Sequence, residues 1–394
     1  MSSINVLIVD DSAFMRKMLT EILERDPAIC VVGAARDGAD GLAKAEKLHP
    51  SVITLDVEMP VMDGYSTLVE LMKNRPVPVV MVSSLTQAGA EMTMRCLSAG
   101  AVDFVGKPSG SISLDIERVA AELIAKVKVA AVSQVKAMSS PPKPAASPLG
   151  GPLTPNNGGT GLNGSVPMAG VVTSEKAVPL AQHSAAAAKV PVRSTRGPLS
   201  GSAKIVVIGA STGGPRALHA LVAGLGPTFD SAGIIVQHMP AGFTQSLAKR
   251  LDAAGPATVR EAVDGEPLQA GTLLVAPGGY HLIVRPDATV HLTQEPPIHG
   301  VRPAIDVTLD SVAHVFGNRV VAVLLTGMGK DGARGMKVLR DMGAHTLAED
   351  ASTCVVFGMP KAALEMNAVD KMLPLGELAQ AVMAATSHSM NAAA

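Results

Sequence analysis

The sequence predicts an α/β protein with two domains, each built around a parallel sheet. Short apolar runs rich in Val and Ile alternate with stretches of helical periodicity, a pattern typical of doubly wound sheets. A Pro-, Gly-, Ser- and Ala-rich segment at residues 137–202 interrupts this alternation. The chain has 394 residues, which is long for one domain. We therefore expect one domain at residues 1–136 and a second at 203–394, joined by a flexible linker.

The composition narrows the class of protein. Hydrophobic residues make up 47% of the chain and aromatic residues 2%, with no tryptophan, so the cores consist of aliphatic side chains that suit buried parallel strands. The 33 basic and 34 acidic residues nearly balance, and this argues against nucleic-acid binding. The N-terminus lacks a secretory signal pattern and no apolar run is long enough to cross a membrane. We expect a cytoplasmic, monomeric protein without membrane insertion.

The first domain contains five apolar runs separated by amphipathic stretches. The intervening segments at residues 14–24 and 39–48 have helical periodicity. Five strands alternating with helices predict a (βα)5 unit with a doubly wound parallel sheet. The runs are "NVLIVD", "ICVVGAA", "SVITLD", "VPVVMVSS" and "VDFVGKP".

The second domain repeats this pattern after the linker. Its strand-like runs include "KIVVIGAS", "GIIVQHM", "GTLLVAPGG", "VVAVLLTGM" and "HTLAED", with helical segments at 243–253 and 305–316. The stretch "LLVAPGGYHLIV" is consistent with a hairpin that closes on Gly278 and Gly279. We therefore predict a three-layer α/β/α domain with a mostly parallel sheet and one antiparallel hairpin.

Polar residues follow the predicted strands of the first domain. Asp10, Asp11 and Asp56 end strands one and three, Ser83 follows the fourth, and Lys107 follows the fifth. Because functional groups collect beyond the carboxyl ends of parallel strands, we expect an acidic pocket there. Three converging carboxylates suit Mg²⁺, and a lysine suits an anion. The alternative is that each Asp caps the following helix.

These residues resemble those of response-regulator receiver domains. The motifs that carry the resemblance are "VDD", "LDVEMPVMDG", "MVSS" and "GKP", and they cover residues 4–128. The resemblance implies that Asp56 accepts a phosphoryl group from a histidine kinase. It also implies that Mg²⁺ is held by Asp10, Asp11, Asp56 and the carbonyl of Glu58, and that Ser83, Lys107 and Phe104 sense the phosphoryl group. A core position is the alternative for Phe104.

A glycine-rich turn with one serine, "GASTGG", follows the first strand of the second domain. Such a turn either binds phosphate at a helix N-terminus or presents a nucleophile. The next strand ends in Gln237 and His238, with no acidic residue for a ribose, and no Walker lysine follows the glycines. These two observations favour Ser211 as a nucleophile over a phosphate-binding loop.

Two further strand ends supply the partners that a serine nucleophile needs. His238 ends its strand where it can accept the hydroxyl proton of Ser211. Asp331 follows the most hydrophobic strand of the chain and can orient an imidazole. A structural histidine and a helix-capping aspartate are the alternatives for these two residues.

The second domain resembles the effector domain of the CheB family of chemotaxis protein-glutamate methylesterases. The resemblance rests on the motifs "GASTGGP", "VQHMP", "APGGYH", "RPAIDV", "TGMGKDGA" and "FGMPKAA". It implies hydrolysis of glutamyl methyl esters on the cytoplasmic helices of methyl-accepting chemotaxis receptors, and deamidation of specific glutamines. A CheA-type histidine kinase would be the phosphodonor.

Under this resemblance Ser211 is the nucleophile, His238 the general base and acid, and Asp331 the orienting carboxylate. Thr212 and the backbone N–H of Met328 are the expected oxyanion donors. No cofactor is expected in the esterase site. The linker is longer than is usual for the family. Two other interpretations stay open: a non-catalytic binding module and a nucleotide-binding effector.

Overall fold

The computed structural model describes residues 3–84, 86–107, 113–133 and 203–387. The predicted linker at 137–202 lies outside the described residues. The remaining elements form two α/β lobes. We call the elements from Ile4 to Val132 the N-terminal lobe and those from Ile205 to Thr386 the C-terminal lobe. None of the helices in the described ranges is long and apolar enough to span a membrane.

The N-terminal lobe has five parallel strands in the order β2-β1-β3-β4-β5, as predicted. The helices lie on both faces of the sheet, so the strands are buried on both sides. The elements are β1 (Ile4–Val9), α1 (Ala13–Leu23), β2 (Ile29–Ala35), α2 (Gly38–Leu48), β3 (Val52–Asp56), α3 (Gly64–Asn74), β4 (Val79–Ser83), α4 (Gln87–Ser98), β5 (Asp103–Gly106) and α5 (Ser113–Val132).

Side-chain caps fix where the helices of this lobe begin. The hydroxyl of Ser12 accepts from the N–H of Met15 at the start of α1, and the carboxylate of Asp63 accepts from the N–H of Ser66 at the start of α3. Each of these hydrogen bonds gives an acceptor to a first-turn N–H group that has none within the helix, and this stabilises the helix by about 1 kcal/mol. Because Ser12 and Asp63 cap α1 and α3, the N-cap positions of these helices are not occupied by Asp11 or Asp56.

The C-terminal lobe has a seven-stranded parallel sheet in the order β14-β13-β12-β6-β7-β9-β8. The elements are β6 (Ile205–Ala210), α6 (Gly214–Gly224), β7 (Ala232–Gln237), α7 (Phe243–Asp252), β8 (Thr258–Glu261), β9 (Thr272–Val275), β10 (His281–Val284), β11 (Val290–Thr293), α8 (Ile305–Phe316), β12 (Val320–Leu324), α9 (Ala333–Asp341), β13 (His345–Glu349), α10 (Met359–Glu365), β14 (Lys371–Leu373) and α11 (Leu375–Thr386).

The three layers follow from the alternation of side chains along the strands. In β6, Ile205 and Val207 pack with α8, α9 and α10, whereas Val206 and Ile208 pack with α6, α7 and α11. Successive strand side chains point to opposite faces, so an all-apolar strand requires helices on both sides. The predicted α/β/α architecture is confirmed.

The hairpin predicted at Gly278 and Gly279 is wrong. β9 pairs in parallel with β7 and β8, and the antiparallel hairpin is formed by β10 and β11. The glycines serve a close approach instead: a Cβ on Gly278 would lie 2.3 Å from the backbone of Pro240. The N–H of Gly279 donates to the carbonyl of Arg302 at 3.1 Å. These contacts redirect the chain out of the sheet after β9.

Candidate active site

The sheet of the C-terminal lobe brings the three predicted catalytic residues together. Ser211 follows β6, His238 follows β7, and Asp331 lies in the loop after β12. β6 is the central strand of these three, paired with β12 on one side and β7 on the other. The chain therefore reverses its direction of winding at β6, and functional sites of open α/β sheets lie at such a switch point.

Asp331 and His238 form a short hydrogen bond at the base of the site. The distance between His238 Nε2 and Asp331 Oδ2 is 2.8 Å, and Asp331 is buried. Burial favours the neutral acid, but the hydrogen bond to His238 and two backbone N–H groups outweigh it and hold the pKa of Asp331 below its ordinary value. Asp331 is therefore an anion that accepts from Nε2–H, which leaves Nδ1 of His238 with the lone pair of a base.

The N-terminus of α8 stabilises the carboxylate of Asp331. The N–H of Ile305 donates to Oδ2 at 2.7 Å, and the N–H of Asp306 donates to Oδ1 at 3.0 Å. The first N–H groups of a helix lack internal partners, and the helix dipole favours negative charge there. The alternative that Asp331 caps the helix following it is therefore wrong. Asp331 binds the start of α8, whereas Gly332 occupies the N-cap of α9.

The backbone around Ser211 is held by several hydrogen bonds. The N–H of Ser211 donates to Thr326 O at 3.0 Å, and Ser211 O accepts from Gly214 N–H at 2.7 Å and from Gln237 Nε2 at 3.0 Å. Gly327 packs directly behind the serine, where an added Cβ would lie 2.7 Å from Ser211 Cβ. From the sequence, Gln237 shows only that no ribose-binding acid ends β7, and its contact with the turn that contains Ser211 is not predicted.

Of the two expected oxyanion donors, Thr212 makes a contact across the lobes. Its hydroxyl is buried and donates to Asp103 Oδ2 of the N-terminal lobe at 2.5 Å. The side chain of Met328 is 43% exposed and lines the same cavity as Ser211 and His238. The oxyanion role of both residues stays a prediction. Sequence reasoning missed Asp103, because no local pattern connects a residue at the start of β5 with a turn in the other lobe.

The cavity at these residues has a volume of about 430 Å³ and is lined by both lobes. Phe104 of β5 lies next to Asp103 and stacks on Phe243 of α7, with ring centroids 4.5 Å apart. Phe104 is buried, so its core interpretation holds, and the core that it joins is shared between the lobes. Stacked aromatic pairs contribute about 0.5–1.5 kcal/mol beyond the burial of their area.

The acidic pocket of the N-terminal lobe is assembled as predicted. Asp10, Asp11 and Asp56 each place a carboxylate oxygen within 4.8 Å of the others. Lys107 Nζ lies 2.8 Å from Asp56 Oδ2 and 3.3 Å from Asp10 Oδ2. Burial raises the pKa of Asp56 to about 6, against the opposing effect of Lys107. Asp10 and Asp56 are buried and Asp11 is exposed, and three crowded carboxylates match the hard oxygen donors that Mg²⁺ requires.

The other residues predicted for this pocket lie close by. Glu58 is exposed, and its N–H donates to Asp56 Oδ1 at 3.4 Å. The Ser83 hydroxyl is buried and accepts from Thr93 Oγ1 of α4 at 2.8 Å. Ser83 O also accepts from the N–H of Lys107 at 2.7 Å, which couples the ends of β4 and β5. Roles for Glu58 and Ser83 in binding stay predictions.

Comparisons with known proteins agree with this two-lobe arrangement. A family model described as CheB methylesterase matches residues 206–382, and one described as response regulator receiver domain matches residues 6–117. A protein-glutamate methylesterase/protein-glutamine glutaminase of Symbiobacterium thermophilum is 49% identical over 98% of this chain and 98% of its own length. The chain belongs to the CheB methylesterase family. A Geobacillus kaustophilus member with the same name is 44% identical, over 97% of this chain and 99% of its own.

One solved structure of the family covers the C-terminal lobe. The Thermotoga maritima CheB methylesterase catalytic domain is 44% identical, covers 46% of this chain and 98% of its own, and has a TM-score of 0.45.

Proposed function

We propose that this CheB-family protein hydrolyses glutamyl methyl esters on the cytoplasmic helices of chemoreceptors and deamidates specific glutamines there. The observation that carries the proposal is the convergence of Ser211, His238 and Asp331 at adjacent strand ends, with Asp331 paired to His238 at 2.8 Å. A hydroxyl, an imidazole and a buried carboxylate at one site are the parts of a serine hydrolase.

In the acylation step, Nδ1 of His238 takes the proton of Ser211 Oγ while Oγ attacks the ester carbonyl carbon. The negative charge that develops on the carbonyl oxygen is stabilised by the oxyanion donors, for which Thr212 and the N–H of Met328 are candidates. The C–O bond to the methoxy group then breaks, and protonated His238 gives its proton to that oxygen, so methanol leaves. For a glutamine substrate the leaving group is ammonia.

In the second step a water molecule hydrolyses the acyl-enzyme. His238 Nδ1 takes a proton from the water as its oxygen attacks, and then returns that proton to Ser211 Oγ as the acyl bond breaks. The product is a glutamate side chain. Asp331 stays ionised throughout and stabilises the imidazolium that forms in each half of the reaction.

The N-terminal lobe is proposed to control this activity through phosphorylation of Asp56 by a CheA-type histidine kinase. Asp10, Asp11 and Asp56 would hold Mg²⁺, which supplies positive charge for phosphoryl transfer. We propose that Lys107, whose Nζ lies 2.8 Å from Asp56 Oδ2, pairs with the new phosphoryl oxygens. Asp103 begins β5 and Lys107 directly follows it, so a movement of Lys107 would alter the contact between Asp103 and Thr212. The contact favours a covered site, and phosphorylation acts by favouring the separated state.

The esterase proposal is tested by methanol release from receptor-containing membranes that have been methylated beforehand. Ser211→Ala is expected to abolish methanol release and to leave phosphorylation of Asp56 unchanged. Ser387→Ala is a matched control, because Ser387 is exposed and follows α11 at the end of the C-terminal lobe. Release by Ser211→Ala at the wild-type rate would refute the assignment, and a phosphorylated wild type that releases no methanol would favour a binding module.

The regulatory part of the proposal is tested separately with Asp56→Asn. This variant is expected to keep the low activity of the unphosphorylated protein and to lose its response to a small-molecule phosphodonor with Mg²⁺. A response of Asp56→Asn equal to that of the wild type would contradict control through Asp56.

A further inference from the structure

Gln237 lies at the end of the pairing between β6 and β7, next to both Ser211 and His238. It is the last residue of β7 and pairs with Ala210, the last residue of β6. Just past this pair, the N–H of His238 donates to Ala210 O at 3.1 Å. Ser211 and His238 thus come directly after the point where the two strands stop pairing, so the strand pairing itself does not fix the distance between them.

The side-chain amide of Gln237 joins the two residues beyond this point. Its Nε2 donates to Ser211 O at 3.0 Å and to His238 O at 3.3 Å. An amide NH2 group has two hydrogens, so it can serve both carbonyls at once. Because a carbonyl oxygen can only accept, the amide must turn Nε2, and not Oε1, toward these two groups. One side chain thereby ties the proposed nucleophile and the proposed base together through their main chains.

The oxygen of the same amide shows that these two hydrogen bonds come with a loss of stability. Gln237 is buried, and its Oε1 has no hydrogen-bond partner among the described residues. A buried polar atom without a partner destabilises the folded state. A Cβ on Gly214 would overlap Oε1, so the amide packs against the first residue of α6 and cannot turn away. An apolar side chain of similar length would avoid the unpartnered oxygen, but it would remove the donor that both carbonyls share.

We propose that Gln237 is a positioning residue for the hydrolysis, whose amide holds the main chains of Ser211 and His238 at the separation in which the imidazole takes the serine proton. This inference rests on the proposed function, since it assigns Gln237 to a reaction of Ser211 with His238. Gln237 is not among the residues that line the cavity, so it acts through these two neighbours and not on the substrate. A displacement of about 1 Å between reacting groups lowers a rate by roughly 10²-fold. Loss of the amide is therefore expected to lower kcat and to leave KM nearly unchanged.

The first test is Gln237→Met, which removes both donated hydrogen bonds and keeps a side chain of similar length and volume. With full-length protein activated by a phosphodonor and Mg²⁺, its kcat for methanol release from methylated receptor membranes is expected to fall about 10- to 100-fold, with KM within about twofold of the wild type. Thr386→Val is the matched control, because Thr386 is also buried and its hydroxyl lies within 2.9 and 3.2 Å of two backbone carbonyls at the end of α11. This control is expected to lose stability toward urea and to keep the wild-type kcat.

The second test, Gln237→Glu, has a pH profile that a merely structural role would not produce. The ionised carboxylate has no hydrogen to donate to the two carbonyls, whereas the protonated acid can donate to one of them. The kcat of this variant, divided by that of the wild type at the same pH, is therefore expected to fall about tenfold or more as pH rises from about 5.5 to 8.5, because burial beside carbonyl oxygens favours the protonated form at the acidic end. A carboxylate that merely kept His238 protonated would lower the ratio most at acidic pH, which is the opposite trend. Circular dichroism at each pH checks that the variant stays folded.

Labelling with a fluorophosphonate separates this inference from the proposed function. Ser211 Oγ attacks the phosphorus, the O–P bond forms as fluoride leaves, and His238 takes the hydroxyl proton, so the labelling rate reports on the two residues without a receptor. We expect Gln237→Met to label about 10- to 100-fold more slowly than the wild type and Thr386→Val to label equally fast.

The outcomes distinguish the two claims. If the wild type releases methanol and Gln237→Met matches its kcat and labelling rate, the role of Gln237 is refuted and the proposed function stands. If Gln237→Met does not fold, the pH profile of Gln237→Glu decides, and a constant ratio overturns the inference. If labelling depends on Gln237 but no protein releases methanol from receptors, the positioning role stands and the proposed substrate is wrong.

Discussion

Replacing Asp331 with asparagine tests the proposed catalytic geometry most directly. The two oxygens of Asp331 accept four donors: Oδ2 from His238 Nε2 and Ile305 N–H, and Oδ1 from Asp306 N–H and Gly332 N–H. An asparagine has only one acceptor oxygen. If this oxygen takes the position of Oδ2, the N–H groups of Asp306 and Gly332 lose their acceptor. If it takes the position of Oδ1, the only backbone donor that loses its acceptor is the N–H of Ile305.

The second orientation is favoured, because each buried donor without a partner costs about 1–3 kcal/mol. In that orientation the asparagine NH2 group faces His238, so Nε2 must accept and the proton moves to Nδ1. Nδ1, the nitrogen proposed to act on Ser211, is then no longer a base. A wrong tautomer of this kind lowers kcat by roughly 10⁴-fold in a serine hydrolase, which corresponds to about 5.5 kcal/mol.

The assay is methanol release from methylated receptor membranes by protein activated with a phosphodonor. We expect Asp331→Asn to lose activity by about 10³- to 10⁴-fold and unfolding free energy by about 1–3 kcal/mol. Asp306→Asn is the matched control, since Asp306 is an equally buried carboxylate whose Oδ1 accepts from the N–H of Gly335. Activity of a folded Asp331→Asn variant within tenfold of the Asp306→Asn variant would refute the proposed role of Asp331.

Three other predictions follow from single contacts. Gly327→Ala places a methyl group 2.7 Å from Ser211 Cβ, so kcat is expected to fall on the order of 10²-fold, whereas Gly376→Ala, with nothing within 4 Å, is expected to leave it unchanged; equal kcat values would contradict the contact. Phe104→Leu loses the stacking on Phe243, and unphosphorylated activity is expected to rise about 2- to 10-fold, with Phe14→Leu at an exposed position as the control. No rise in Phe104→Leu would show that the stack does not favour the covered site. Burial raises the pKa of Glu349 above its ordinary value of 4.5, against the hydrogen bond from Thr326 N–H. The contribution of neutral Glu349 to the free energy of unfolding is complete below about pH 4.5 and is lost as pH rises through the pKa of the folded state. In urea unfolding, the free energy of unfolding of Glu349→Gln should therefore decline less over that pH range than that of the wild type. An equal decline in the two proteins would contradict the prediction.

The sequence predicted the parts of the site that depend on strand ends. Ser211, His238 and Asp331 each follow an apolar run, and parallel strands carry whatever follows them to one edge of the sheet. The α8 segment was also predicted at its observed bounds, because its apolar residues have a clear helical period. Its use as the donor for Asp331 was not predictable, since 25 residues separate Asp306 from Asp331 and only the tertiary fold joins them.

The errors have physical reasons as well. The sequence predicts half of a hairpin for the run before Gly278, because a glycine pair between apolar runs is a strong turn signal. Apolar residues on both faces of β9 fit a central parallel strand better. The contact between Asp103 and Thr212 joins residues 109 positions apart, and its distance of 2.5 Å depends on how the two lobes pack. Periodicity along one chain segment contains no information about such a contact.

The four-residue strand β5 has a consequence for how this protein can evolve. Asp103 binds Thr212 at one end of the strand, Phe104 stacks on Phe243 beside it, and Lys107 pairs with Asp56 just past the other end. The two ends are separated by only about 13 Å of extended backbone. Under the proposed function, the phosphorylation pocket and the contact with the catalytic turn share this one short segment, so a substitution there alters both together. We expect variation in signal sensitivity among natural relatives to accumulate outside β5, in the residues that contact Lys107 and Phe104.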